Sequence, residues 1–95
     1  MSVSEPVRRD LRPGDGEVVT VRYWAAAGHA AGVDEDLLGP AATVGDALGL
    51  AVSTRPALAD VLPACSVLVD GLVAPPGQAV AAGTIIEVLP PFAGG

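Results

Sequence analysis

The residues best suited to chemistry are the last six, Pro90-Pro91-Phe92-Ala93-Gly94-Gly95, and the reactive group is the carboxylate of Gly95. A carboxylate is a poor electrophile until it is activated, for example as an acyl-adenylate made from ATP. The enzyme that does this must draw the carboxylate into a narrow channel, where side chains would block entry. Glycine carries no Cβ and lets the backbone pass closely. Two prolines cannot continue a sheet, and they stiffen the chain behind the tip, so less ordering entropy is lost on insertion. Six residues from Pro90 reach about 20 Å at roughly 3.3 Å per residue, so a folded body can stay outside while the tip reacts inside.

The rest of the inventory argues against other chemistries. In 95 residues there are five arginines, no lysine, one histidine, one cysteine and eleven carboxylates, for a net charge of -6. One Cys and one His cannot build a four-ligand zinc site, so no metal is expected. A single cysteine gives no disulfide framework, which points to a reducing, cytoplasmic setting. An acidic, lysine-free chain is a poor ligand for nucleic acid or an anionic membrane. No uncharged apolar run reaches the eighteen residues of a membrane span. Cys65 shares parity with Val67 and Val69 and reads as a packed residue. His29, among alanines and glycines, reads as solvated. Asp34-Glu35-Asp36 reads as a solvated acidic edge, with steering toward a basic partner groove as the functional alternative.

These residues must be held by a small domain. Residues 1–16 mix Ser, Pro, Gly, Asp, Glu and Arg without periodicity and read as a disordered arm. Residues 17–89 carry the domain, and 90–95 an extended, flexible tail. Glu17 to Ala25 reads as a strand with Val19, Val21 and Tyr23 on the core face and Thr20, Arg22 and Trp24 on the other. Ala26 to Gly32 reads as a loop, and Val33 to Leu38 as a weak strand ended by Gly39-Pro40. Thr43 and Asp46 resemble a capping box ahead of a helix from Val44 to about Ser53. Pro56 opens a short helix through Leu62, which Pro63 stops. Cys65 to Asp70 and Leu72-Val73 form a hairpin about Asp70-Gly71. Thr84 to Leu89 is the last strand, with Ile86 and Val88 inside and Ile85, Glu87 and Leu89 outside. The fold class is α+β, a sheet on one main helix plus a short one.

With these elements in place, the sequence resembles the MoaD/ThiS family of β-grasp, ubiquitin-like sulfur carriers, and within it most closely the small-subunit branch of molybdopterin synthase. The resemblance covers about Val18 to Gly95. It is carried by the opening strand, by Ala42-Thr43-Val44-Gly45-Asp46-Ala47-Leu48, by Val67-Leu68-Val69-Asp70-Gly71 and above all by the run from Ala82 to Gly95. The chain departs from the family pattern at Gly28-His29, Asp70 and Thr84.

The resemblance implies a mixed sheet and a carrier mechanism. Gly95 is adenylated by an E1-like adenylyltransferase/sulfurtransferase that uses ATP, and is converted to a thiocarboxylate. The large subunit of molybdopterin synthase, in a heterotetramer, then passes the sulfur to cyclic pyranopterin monophosphate. No cofactor is bound by the carrier itself. Alternatives are a carrier for thiamine thiazole or cysteine synthesis, a ubiquitin-like modifier, or an interaction module without tail chemistry.

Parity adds a docking surface. Trp24, Leu68 and Leu89 fall on the outer face near the root of the tail, and an exposed apolar patch on a small domain marks an interface. The expected partner-binding set is therefore Trp24, Leu68, Leu89, Pro90, Pro91, Phe92, Ala93 and Gly94, serving both partners.

Overall fold

The computed structural model describes residues 17–91. The arm expected at 1–16 and the tail residues Phe92 to Gly95 lie outside the described residues. In chain order the elements are β1 (Glu17–Tyr23), α1 (Ala26–Ala31), β2 (Glu35–Ala41), α2 (Val44–Thr54), α3 (Leu58–Val61), a 3-10 turn (Leu62–Ala64), β3 (Ser66–Val69), β4 (Leu72–Val73) and β5 (Ile85–Leu89). The five strands lie in the order β2-β1-β5-β3-β4. Strands β1 and β5 run parallel and every other neighbouring pair is antiparallel. This is the mixed sheet of the β-grasp, with the helices packed on one face.

Alternation on the strands supplies half of the core. Val19, Val21 and Tyr23 from β1, Ile86 and Val88 from β5 and Val69 from β3 are buried, and they meet Val44, Ala47, Ala51 and Leu58 from the helices. Helix α2 starts where expected. The Thr43 hydroxyl oxygen accepts from the Asp46 N–H at 3.1 Å, and the Asp46 carboxylate accepts from the Thr43 N–H at 3.2 Å and the Ala42 N–H at 3.0 Å. A reciprocal cap of this kind contributes about 1 kcal/mol. At the β3–β4 turn Asp70 and Gly71 take φ of 54° and 81°, the left-handed pair that the Asp-Gly signal calls for.

Three elements differ from the sequence expectation. Residues 26–31, read as a loop, form helix α1. Alanine is the best helix former, Ala27 and Ala31 bury one face at i, i+4, and Gly32 closes the helix in the left-handed region at φ 83°. Strand β2 begins and ends later than expected and runs through Gly39-Pro40, a cis peptide, because this is an edge strand where a residue lacking an N–H is tolerated. Pro63 does not stop the short helix; it sits inside the 3-10 turn that continues α3.

Gly39 is needed for contact, not for conformation. A Cβ there would lie 2.7 Å from the Glu17 carbonyl oxygen and 2.9 Å from the Val18 Cα, both backbone atoms that cannot swing away. Gly39→Ala is expected to cost about 2 kcal/mol, read as a lower denaturant midpoint. An unchanged midpoint would show that β2 can move off β1 freely.

Candidate functional site

The helices cover one face of the sheet and leave the other open. Register fixes what stands there. Thr20 lies between Leu37 and Ile85, and Arg22 between Glu35 and Glu87. Leu68 lies between Glu87 and Val73, and Ser66 pairs with Leu89. Because β1 and β5 are parallel, they finish at the same end of the sheet. Trp24 follows Tyr23 there, and its N–H donates to the Val88 carbonyl at 3.0 Å. It therefore comes abreast of Leu89, the residue from which Pro90 and the tail depart.

Trp24 is 45% exposed, while Leu68, Leu89 and Pro90 are half-buried and Pro91 is exposed. The structure thus gathers Trp24, Leu68 and Leu89 toward one end of one face, with Pro90 following Leu89 in the chain. Phe92, Ala93, Gly94 and Gly95, also in the expected site, lie outside the described residues. Directly after Trp24 the chain turns at Ala25, held at φ 48° and ψ -123°, a sparsely populated positive-φ conformation that costs an alanine about 1–3 kcal/mol. The strain sits at the turn that ends β1 beside the tail root.

The apolar face is wider than parity alone had suggested. Val18, Leu37, Ile85 and Val73 are also exposed. Parity on β5 had already turned Ile85 and Glu87 outward. That Leu37 of β2 and Val73 of β4 extend the same face became visible only with the pairing.

The acidic run Asp34-Glu35-Asp36 is not a uniformly solvated edge. Asp36 lies on the helix side, where Arg55 grips it through Nε at 3.2 Å and Nη2 at 2.8 Å, and the Tyr23 hydroxyl donates to it at 2.9 Å. Its side chain is only 12% exposed. Glu35 pairs with Arg22 at 3.1 Å on the open side. Only Asp34 fits the expected picture of an exposed carboxylate without an ion pair among the described residues. His29 is exposed on α1 and lines a shallow groove of about 440 Å³ with Tyr23, Val33 and Asp34. Cys65 is half-buried and its thiol donates to the Val61 carbonyl at 3.3 Å; burial pushes its pKa up, away from the reactive thiolate.

The Tyr23–Asp36–Arg55 cluster ties β1 and β2 to the end of α2, and it makes stability depend on pH in a defined way. The hydrogen bond from Arg55, with that from Tyr23, holds Asp36 below the usual carboxylate range. That contribution is present above about pH 4, where an unfolded carboxylate ionises, and is lost as pH falls through the lower folded value. Burial, and then the bond to Asp36, raise the Tyr23 phenol well above its ordinary value. That contribution is present below about pH 10 and is lost as pH rises from there toward the folded value. Asp36→Asn is expected to cost about 2 kcal/mol at neutral pH and to flatten the acid limb of an unfolding free-energy profile. An unaltered acid limb would place the titrating group elsewhere.

Among the described residues no helix is long and apolar enough to cross a membrane. The sheet order, the parallel central pair and the single helical layer define a β-grasp, ubiquitin-like protein, and comparison with known proteins narrows that class. The sequence model of the ThiS family matches residues 21–95, and the chain belongs to the ThiS family. It is therefore a ThiS/MoaD-like sulfur carrier or a ubiquitin-like modifier.

Solved structures agree on the fold. The crystal structure of small archaeal modifier protein 1 from Haloferax volcanii is 31% identical with a TM-score of 0.74, covering 81% of this chain and 100% of that one. The solution structure of small archaeal modifier protein 1 from Methanosarcina acetivorans is 24% identical with a TM-score of 0.77, covering 86% and 100%. A Pyrococcus furiosus protein assigned as subunit 1 of a molybdopterin converting factor is 22% identical with a TM-score of 0.71, covering 80% and 99%. No curated protein matches the sequence significantly.

Proposed function

We propose that this chain is the sulfur carrier of molybdopterin synthesis. The observation that carries the sulfur-carrier part of the proposal is the ThiS-family match, which runs to residue 95 and so takes in Gly94-Gly95. In the proposed cycle an E1-like enzyme joins the Gly95 carboxylate to AMP from ATP and releases pyrophosphate. Hydrosulfide then attacks the acyl carbon, AMP leaves, and with loss of a proton the product is a thiocarboxylate. The loaded tail enters the large subunit of molybdopterin synthase, and its sulfur passes to cyclic pyranopterin monophosphate. Trp24, Leu68 and Leu89 hold the body against each partner while Pro90 to Gly94 span the channel. The carrier contributes no general base, metal ligand or side-chain nucleophile, in keeping with its single His and single Cys.

The molybdenum client is supported by the Pro90-Pro91-Phe92 run ahead of the glycines and by the likeness to the Pyrococcus furiosus protein. The likeness to small archaeal modifier protein 1 favours a second reading, that of a ubiquitin-like modifier joined to amines of other proteins. Mixing the loaded carrier with the synthase large subunit and cyclic pyranopterin monophosphate decides between them. Loss of sulfur from the carrier with appearance of the pterin dithiolene is expected. A thiocarboxylate that persists in that mixture would exclude the molybdenum client and leave thiamine thiazole synthesis, cysteine synthesis or protein modification.

A further inference from the structure

On the open face the register lays one row across the sheet: Glu35, Arg22, Glu87, Leu68 and Val73. The flanking rows, Leu37–Thr20–Ile85 on one side and Trp24 with Leu89 and Ser66 on the other, hold no charge. Within the charged row, Nε and Nη2 of Arg22 both lie 3.1 Å from one oxygen of Glu35. The cation nearest Glu87 in register is thus already engaged. Glu87 itself makes no ion pair among the described residues, although it is half-buried and stands between the Arg22–Glu35 pair and the apolar Leu68 and Val73. Counted over the described residues, the row holds two carboxylates and one guanidinium, a net charge of one negative.

A protein that covers Trp24, Leu68 and Leu89 must also cover Glu87, which lies between Arg22 and Leu68 one pleat behind Leu89. An ionised carboxylate taken from water without a partner opposes binding strongly, whereas a matched cation offsets that cost. We propose that Glu87 is the specificity-determining residue of this docking face, and that the cognate partner presents one cationic side chain within an apolar surround. Apolar surfaces lacking that cation are rejected, so the face discriminates by charge while Trp24 supplies most of the contact energy. The inference rests on the docking role given above to the tail-end patch.

Titration calorimetry of the full chain against the E1-like adenylating enzyme, the partner that every reading with tail chemistry requires, tests it. Glu87→Gln is expected to weaken binding about tenfold or more at low salt, with an unchanged thermal midpoint. It should also flatten the fall of affinity between about 50 and about 300 mM salt. Trp24→Ala is expected to weaken binding at every salt concentration and keep the wild-type slope. If Trp24→Ala weakens binding while Glu87→Gln matches wild type in affinity and slope, the role of Glu87 is overturned and the docking face stands. If neither variant differs from wild type, both are overturned.

Discussion

Removal of Gly94 and Gly95 is expected to abolish loading of the chain with sulfur while leaving its fold intact. Two residues fewer shorten the tail by about 7 Å. The terminal carboxylate then sits on Ala93, whose methyl group must enter a channel shaped for a bare backbone. Misplacement by about 1 Å in an active site already costs about a hundredfold in rate, so adenylation of the shortened chain should fall by at least about a thousandfold. Among the described residues every helix and strand lies between Glu17 and Leu89, so the thermal midpoint should not move. Intact-mass analysis and thermal unfolding on the same sample check both halves. A shortened chain that still gains sulfur would remove the tail from the mechanism, and one that unfolds early would give the tail a structural role.

Trp24→Ala is expected to weaken binding to both the activating enzyme and the synthase large subunit by about thirtyfold or more, the scale of a truncated interface tryptophan of about 2 kcal/mol. The residue is 45% exposed and its N–H bond to Val88 belongs to the backbone, so truncation removes outward surface and leaves the sheet in place. Its position is what gives the substitution two targets. The parallel pairing of β1 with β5 sets Trp24 at the root of the tail, and any enzyme that admits the tip must pass over that end of the sheet. Calorimetric titration of each partner measures the effect. Equal affinities for wild type and variant with both partners would show that the tail alone carries recognition.

Much of the fold was legible because its signals are local. Alternation on β1 and β5 sorted Val19, Val21, Tyr23, Ile86 and Val88 inward and Trp24, Ile85 and Glu87 outward, as the burial of each confirms. The Thr43–Asp46 box and the Asp70-Gly71 turn also depend only on residues close in sequence. What was not legible depends on distant partners. Thr20 meets Ile85 across 65 residues, and nothing in either strand fixes that register; the row that places Glu87 beside Arg22 follows from it.

Asp36 was misread for the same reason. In isolation it belongs to an acidic run, and only the fold turns it toward Tyr23 and brings in Arg55 from nineteen residues away. Helix α1 failed on different grounds. Gly28 and the small side chains around it suggested freedom, yet the glycine serves close packing, since a Cβ there would come within 3.1 Å of the Tyr23 carbonyl oxygen. The candidate site divides along the same line. The faces of Trp24, Leu68 and Leu89 were readable from alternation, whereas the breadth of the apolar surface and the setting of Glu87 within it required the assembled sheet.

The central claim is that the chain acts through the carboxylate of Gly95. The most direct test is the intact mass of the protein after incubation with ATP, an E1-like enzyme and a sulfur source. A gain of about 16 Da, one oxygen replaced by sulfur, located at Gly95 by fragmentation, is the expected result. An unchanged mass, with the same enzyme preparation shown to activate another carrier of the family, would contradict it.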